Sequence, residues 1–348
     1  MVRLVGGEPA RFAGTIETVE MHTGGEPVRI VAAGYPPIPG ATILDKRRYA
    51  RDNLDHLRKL LMFEPRGHVD MYGVLPVEPD LPEADLAVLF IHNEGYSTMC
   101  GHATIALGRY AVDTGIVPAV APETAVNLQC PCGLVRVRVA VTATPSGPVS
   151  GAATFESVPS FAFALDRRAE VPGLGTVPFD IGYGGAFYAL VEASDIGLSL
   201  SETPLARLVE AAGRITAHLA ATVPLEHPDD GDLAFLYGTV LTDGRDGSGT
   251  QPTRNVCVFA EREVDRSPTG SGVCARMAVQ CARGLGLGET RRFESLTGAV
   301  FEARATRRER AGRFEAVRVE VAGRAFYTGR SRFTVEADDP LGGGFLLR

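Results

Sequence analysis

An internal repeat constrains the fold of this chain more than any other feature of its sequence. The stretch STMCGHATIALGRYAVDTG (residues 97–115) has the same layout as DRSPTGSGVCARMAVQCARG (265–284). Helical spacing of apolar residues predicts a helix in each copy. Cys100 and Thr269 occupy the same place at the two helix starts, each fifteen residues before a glycine that can end the helix. The second copy therefore lacks the thiol of the first.

The surroundings of the two helices repeat as well. Each helix follows a predicted buried strand, each half begins with a double glycine after a β-like run, and each helix is followed by a Glu-Thr pair and another β-like run. The matched features are the strands 86–93 and 255–260, the double glycines 24–25 and 184–185, and the Glu-Thr pairs 123–124 and 289–290. We interpret the chain as two homologous α/β (α+β) domains of about 150 residues each.

The repeat also suggests domain boundaries. We predict a first half at residues 1–148, which carries Cys100, and a second half at 149–330, which carries Thr269. The C-terminal segment 331–348 is expected to pack back on the first half. The stretch TATPSGPVSG (142–151) has the composition of a linker. Ser97 and Thr98 are the expected caps of the first helix.

Composition limits the cellular location and the binding partners that we expect for this protein. With 348 residues, 45% of them hydrophobic, the chain can bury two cores. No segment reaches the length of a membrane span, and the first residues lack the apolar run of a signal peptide. A net charge of −7 without a basic tract argues against nucleic acid as a partner. Six cysteines do not make a disulfide scaffold in a chain of this length, and free thiols fit a cytoplasmic protein.

The two helix starts predict an anion site. A helix N-terminus carries free N–H groups and about half a positive charge, so it binds carboxylates without help from a side chain. Gly101 and Gly270 are predicted to let a ligand approach the backbone closely. If the halves face each other across a cleft, both helix starts can bind one carboxylate.

Cys100 is the candidate general base. A helix N-terminus is expected to lower the pKa of a thiol, and a thiolate can remove a proton. The alternative is a buried small hydrophobic residue, but the adjoining Gly-His at a helix start favours the base. The other five cysteines are interpreted as structural. Cys130 and Cys132 form a CPCG motif without a second Cys/His pair at zinc-ligand spacing, so no metal is predicted.

Two polar neighbours have open roles. His102 either orients the substrate or tunes the thiol, or it is an ordinary structural histidine. Asp265 either binds a substrate ammonium or imino group, or it caps a loop or pairs with Arg266. The sequence alone leaves both choices open.

The chain resembles the proline racemase family, which shares the diaminopimelate-epimerase-like fold. The resemblance lies in MHTGGEPVRIV, MCGHATIALG, GGAFYALV and DRSPTGSGVCAR, which are spread over most of the chain. It implies two similar domains, each with a central helix wrapped by mixed β-sheet, an active site in the cleft between them, and neither a metal nor an organic cofactor. By position it assigns acid/base catalysis to Cys100, binding of the substrate carboxylate to Gly101, His102, Gly270 and Ser271, and contact with the ring nitrogen to Asp265.

Thr269 departs from the racemase pattern. Racemases and hydroxyproline epimerases of the family carry cysteine there, because inversion needs a base on one face of Cα and an acid on the other. A threonine hydroxyl is too weak an acid for this exchange. The Cys/Thr pairing resembles the trans-3-hydroxy-L-proline dehydratase branch, in which one thiol suffices because the reaction ends in elimination. Thr269 then needs only to pack or to hydrogen-bond on the far face of the ring.

Stereochemistry favours the same reaction. In trans-3-hydroxyproline the hydroxyl lies opposite the carboxylate and therefore shares a ring face with the Cα hydrogen. One thiolate on that face can take the α-proton, and loss of water gives an enamine that tautomerises to Δ1-pyrroline-2-carboxylate. The alternatives are a proline racemase or hydroxyproline 2-epimerase, and a non-catalytic imino-acid-binding protein. For the assembly we predict a homodimer, although the sequence does not fix the oligomeric state.

Overall fold

The computed structural model describes residues 4–8, 10–260 and 262–347. The α-helices are α1 (Ile43–Asn53), α2 (Asp55–Met62), α3 (Gly101–Asp113), α4 (Leu205–Thr222) and α5 (Gly270–Ala282). The strands of the first part are β1 (Leu4–Gly6), β2 (Thr15–Thr23), β3 (Glu26–Ala33), β4 (Tyr72–Val77), β5 (Leu86–His92), β6 (Tyr96–Ser97), β7 (Glu123–Cys130), β8 (Gly133–Thr144) and β9 (Gly147–Glu156). The remaining strands are β10 (Ser160–Val171), β11 (Gly175–Tyr183), β12 (Phe187–Glu192), β13 (Leu236–Thr242), β14 (Thr253–Phe259), β15 (Glu263–Asp265), β16 (Thr290–Glu294), β17 (Val300–Ala311), β18 (Phe314–Gly323), β19 (Ala325–Thr334) and β20 (Phe345–Leu347).

The strand pairings repeat in order, which confirms the predicted duplication. In the first half β2–β3 is antiparallel, β3–β4 parallel, β4–β5 and β5–β6 antiparallel, β5–β7 parallel and β7–β8 antiparallel. The second half has the same series from β11–β12 to β16–β17. Helices α3 and α5 occupy the same place in this series, after β6 and β15. The chain therefore folds as two copies of one mixed α/β unit.

Each half wraps its strands around its central helix. Helix α3 packs against β2, β7, β8 and β9, and α5 packs against β10, β11, β17 and β18. In the second half β10 also pairs with β18, so the sheet closes into a barrel-like ring around α5. Both helices bury residues on all sides, as expected for a helix that is apolar or small all round.

The stretch predicted as a linker, residues 142–151, is instead a β-hairpin. Strands β8 and β9 pair through it from Val141–Ser150 to Thr144–Gly147, and Gly147 turns the chain at φ +113°. The other edge of β9 pairs with β18 and so joins the two halves in one continuous sheet. Turn residues mark a tight hairpin as well as a linker, which is why composition misled here. The predicted boundary between residues 148 and 149 falls inside β9 and stays a prediction.

The C-terminal part of the chain crosses back to the first half. Strand β19 pairs antiparallel with β2, and β20 pairs with β1. Leu346 is fully buried in a second, smaller core beneath α1 and α2. The main core is continuous through both halves. None of the helices in residues 4–8, 10–260 and 262–347 is both long and apolar enough to cross a lipid bilayer.

Candidate active site

The starts of α3 and α5 touch each other. A Cβ atom added to Gly101 would lie 2.4 Å from Gly270 Cα, and one added to Gly270 would lie 2.7 Å from Gly101 Cα. These distances are too short for any side chain. The glycines are therefore required first for the contact between the two helices, and not only for the approach of a ligand as the sequence suggested. The free N–H groups of both helix starts converge at one point between the halves.

A small, tight cavity lies at this junction, and the space in it open to the centre of a water-sized molecule is about 10 Å³. All the predicted site residues line it: Cys100, Gly101, His102, Asp265, Thr269, Gly270 and Ser271. Five lining residues were missed from the sequence: Tyr72, Met99, Tyr188, Tyr237 and Phe259. A signal existed for two of them, because a Tyr-Gly pair at residues 72–73 in β4 recurs at residues 237–238 in β13. The cavity thus combines residues from both halves.

Cys100 is itself the N-cap of α3. Its Sγ accepts a hydrogen bond from Ala103 N at 3.4 Å and lies 3.1 Å from His102 Nδ1. The two residues predicted as caps make other hydrogen bonds instead. Ser97 Oγ bonds the Tyr72 hydroxyl, and Thr98 Oγ1 donates to Gly185 O at 2.8 Å. Thr98 is drawn away because it reaches the double-glycine turn of the other half. The thiol is therefore held at the first turn of the helix, against the histidine.

The pKa of Cys100 is raised, whereas the position at a helix start led us to expect a lowered pKa. Burial raises it well above the usual value, the Ala103 N–H lowers it, and the negative charge of Asp265 raises it further. A helix start favours the thiolate, but removing the sulfur from water disfavours it more strongly. A cationic group bound beside the sulfur would lower the pKa again.

His102 contacts the candidate base directly. Burial lowers the pKa of its ring, while the charge of Asp265 acts in the opposite direction. The neutral imidazole lies edge-on to Tyr72, with 4.9 Å between the ring centroids. Of the open roles for His102, this geometry favours tuning and placing the thiol.

Asp265 lies across the cavity from these groups. Its Oδ1 accepts a hydrogen bond from Ser267 N at 2.7 Å, which is the local loop contact considered from the sequence. Its predicted ion pair is not formed, since Arg266 contacts Asp70 at 3.1 Å and Glu26 at 3.7 Å. The carboxylate of Asp265 is thus left to face the cavity.

Thr269 has an unusual backbone. As N-cap of α5 it adopts φ +66°, ψ +84°, a conformation that β-branched residues rarely adopt and that costs about 1–3 kcal/mol. Its buried hydroxyl has no hydrogen-bond partner of good geometry among the described residues. It lies near the Cys257 thiol, whose pKa burial raises and this hydroxyl partly lowers. Ser271, two residues further along the chain, bonds the Tyr188 hydroxyl at 2.7 Å.

Comparison with known proteins identifies the family and the fold. The family model described as proline racemase matches residues 18–346. The chain belongs to the proline racemase family. It is 56% identical to the trans-L-3-hydroxyproline dehydratase of Xenopus tropicalis, with 96% of this chain and 95% of that protein covered. It is 44% identical to the 3-hydroxyproline 2-epimerase of Burkholderia multivorans, with 97% and 100% covered.

Solved structures agree with this assignment. A hydroxyproline epimerase from Agrobacterium vitis, crystallised with bound trans-4-hydroxy-L-proline, superposes with a TM-score of 0.87 at 27% identity, over 95% of this chain and 94% of that one. The predicted pair of similar α/β halves is thereby confirmed as a proline racemase fold.

Behind the site of this proline racemase family member lies a buried charged layer between the halves. His92 Nδ1 contacts Glu263 Oε1 at 2.8 Å. Glu26 is fully buried, and its Oε2 accepts from Arg266 N at 2.6 Å. Burial raises the pKa of Glu26 well above its usual value, and Asp265 raises it further. No cluster of three His, Cys, Asp or Glu side chains suited to a metal occurs within the described ranges.

Proposed function

We propose that this protein is a hydro-lyase that converts trans-3-hydroxy-L-proline to Δ1-pyrroline-2-carboxylate. The observation that carries the proposal is the asymmetry of the cavity, in which a cysteine at the start of α3 stands opposite a threonine at the start of α5. A chain of this family with one thiol can remove the α-proton but has no second thiol to return a proton to the other face. The activity for which the Xenopus relative is named supports the same reaction.

In the proposed complex the substrate carboxylate lies between the two helix starts. The N–H groups at Gly101, Gly270 and Ser271 bind it, and the helix dipoles stabilise the negative charge that grows on it when Cα loses its proton. Asp265 holds the ring nitrogen, and His102 keeps the Cys100 sulfur in place. Asp265 attracts the positive charge of the nitrogen, and a cation at this place offsets the influences that raise the pKa of Cys100.

Elimination then follows on one face of the ring. The Cys100 thiolate takes the α-proton, the electron pair forms the C2–C3 double bond, and the 3-hydroxyl accepts a proton from a group on the same face and leaves as water. The enamine tautomerises to the pyrroline. Thr269 closes the opposite face, where its hydroxyl excludes water without exchanging protons.

An epimerase is the second candidate, because a relative of 44% identity carries that name. The two functions separate in one experiment. The enzyme is incubated in heavy water with each isomer of proline, 3-hydroxyproline and 4-hydroxyproline, and both optical rotation and pyrroline formation are followed. We expect pyrroline from trans-3-hydroxy-L-proline and no inversion of any isomer. Inversion at Cα without pyrroline would replace the dehydratase by an epimerase.

We propose in addition that the enzyme acts in the cytoplasm as a homodimer. Six free thiols fit a reducing compartment. Light scattering of the purified chain would check the assembly. The expected mass is twice 37.0 kDa, and a mass of one chain would exclude the dimer.

A further inference from the structure

Three hydroxyl groups form a buried cluster beside the cavity. The Tyr72 hydroxyl and Ser97 Oγ lie 2.5 Å apart, and the pKa of Tyr237, which burial raises, is lowered in part by the neighbouring Ser97 and Tyr72 hydroxyls. All three residues are buried, with 2%, 0% and 7% exposure for Tyr72, Ser97 and Tyr237. The two tyrosines come from the equivalent strands β4 and β13, and both line the cavity. We call this group the hydroxyl cluster.

The hydroxyl cluster lies on the thiol side of the cavity. The Tyr72 ring packs edge-on against His102, with 4.9 Å between the ring centroids, and His102 Nδ1 lies 3.1 Å from Cys100 Sγ. Tyr72 and Cys100 line the same cavity, and the Tyr72 hydroxyl acts to lower the pKa of the thiol against the larger effect of burial. The third tyrosine of the cavity wall, Tyr188, is bonded instead to Ser271 on α5. Of the lining tyrosines, Tyr72 is therefore the one that packs against the histidine held beside the candidate base.

The proposed elimination needs a proton donor at this place. Hydroxide is a poor leaving group, so the departing oxygen must be protonated as the C3–O bond breaks. That oxygen lies on the same ring face as the α-proton, which is the face of Cys100. At that moment the sulfur is accepting the α-proton, so a second group on the same face is required for simultaneous protonation.

We propose that Tyr72 donates this proton, an assignment that rests on the dehydratase function proposed above. The Cα–H bond breaks and its proton moves to Cys100 Sγ. The C3–O bond breaks and the oxygen takes the Tyr72 proton, so that water leaves. The tyrosinate then recovers a proton from the adjacent Cys100 thiol, because a phenolate is a stronger base than a thiolate. The α-proton is thus passed through Sγ to Tyr72, and both residues return to their starting states without any other reactant.

Tyr72→Phe tests the assignment, since it removes the hydroxyl and keeps the ring. We expect kcat for dehydration of trans-3-hydroxy-L-proline to fall about 100-fold or more, within the range for loss of a general acid. Exchange of the Cα hydrogen of L-proline in heavy water, which needs Cys100 but no leaving group, is expected to fall by less than about tenfold. The melting temperature checks that the variant is folded.

A second substrate provides the control for leaving-group chemistry. In trans-3-fluoro-L-proline the fluoride leaves from the same ring face and needs no proton to depart. The Tyr72→Phe variant is expected to eliminate fluoride within about tenfold of the wild-type rate. Tyr188→Phe is the matched variant, because it removes a hydroxyl from the other side of the same cavity. It should not change the ratio of fluoride to hydroxide elimination.

Three results would decide against Tyr72. Dehydration, exchange and fluoride loss falling by the same factor in Tyr72→Phe would mean that the hydroxyl only supports Cys100. Undiminished dehydration would exclude it as the donor. The same change of ratio in Tyr188→Phe would remove the distinction between the two sides. A wild type that forms no pyrroline at all would instead overturn the proposed function, and this assignment with it.

Discussion

At the scale of single residues, Cys100 is subject to opposing influences. The helix start and the Tyr72 hydroxyl favour its thiolate, whereas burial and the charge of Asp265 favour the thiol. Burial is the strongest of these, so the free enzyme holds Cys100 protonated at neutral pH. The proposed base is therefore activated by its substrate, whose positively charged nitrogen binds beside the sulfur.

Replacement of the sulfur tests whether Cys100 is the base. Cys100→Ser keeps the N-cap geometry but introduces a hydroxyl that does not ionise near neutral pH. We expect turnover to fall below the detection limit while the melting temperature and the affinity for pyrrole-2-carboxylate, a flat mimic of the carbanion, stay close to wild type. A variant that keeps a tenth of the activity would exclude Cys100. Cys281→Ser, which changes a cysteine far along α5, is the control for loss of a thiol.

The pH dependence tests the direction of the Cys100 pKa. Because the reactive form is the thiolate and the pKa of the free enzyme is raised, kcat/KM for dehydration is expected to rise with pH between about pH 6 and about pH 9. A plateau beginning near neutral pH would show instead that the helix start dominates and the thiol pKa is low. The profile of Cys281→Ser should match the wild type.

At the scale of elements, the contact between α3 and α5 organises the site. Two helix starts meet because both first residues are glycine, and the N–H groups of each helix then face one cavity. Because of this contact, a substitution at either glycine tests the packing of the two helices as well as the binding of a ligand. In Gly270→Val the new side chain would meet Gly101 Cα and the Phe155 ring before it met a ligand, so a loss of binding would reflect displaced helices.

Gly101→Ala probes this helix contact with the smallest possible side chain. The added carbon would lie 2.4 Å from Gly270 Cα, and backbone atoms cannot rotate away as side chains do. We expect the free energy of unfolding to fall by about 1–3 kcal/mol, as in other overpacked interiors, and dehydration to be lost with it. Gly329→Ala is the matched control, because an added carbon there meets nothing within 4 Å. Equal melting temperatures for the two variants would contradict the helix contact.

At the scale of the whole molecule, the duplication makes Thr269 the counterpart of Cys100. Thr269→Cys restores the second thiol of the repeat. We expect the variant to gain racemisation of L-proline or epimerisation of 4-hydroxyproline, with deuterium from heavy water at Cα of the inverted product. A thiol there returns a proton to the face opposite Cys100. The gain is expected to be small, because Asp265 and burial act on the new thiol as well.

Two controls sharpen this experiment. Thr269→Ser keeps a hydroxyl and should give no inversion. The assay is run under reducing conditions, because Cys257 lies beside residue 269 and could otherwise trap the new thiol. A folded Thr269→Cys variant that still dehydrates, yet inverts no substrate at any pH, would show that the two helix starts do not face the ring from opposite sides.

The sequence by itself determined the duplicated plan, the strand before each central helix, and seven of the twelve residues that line the cavity. These follow from local signals: the alternation and length of apolar runs, the residue types at helix starts, and their recurrence at one spacing. Strands β5 and β14 and helices α3 and α5 needed no long-range information, because glycine and apolar spacing specify them locally. The absence of a thiol at Thr269 was also evident from the sequence, since it is a difference between two aligned positions.

The tertiary structure decided the features that depend on distance and burial. The residues predicted as a linker form a hairpin because β9 finds a partner strand in each half, which no local signal records. The pKa of Cys100 is raised because the packing of the two halves removes water around the sulfur. This desolvation involves residues from both halves, so no single segment of the sequence predicts it. Gly101 and Gly270 each leave room for the backbone of the other, although about 170 residues separate them in the chain. Tyr72 lies in the same cavity as Cys100 for the same reason: segments far apart in the chain become neighbours only when the sheet has wrapped around the helix.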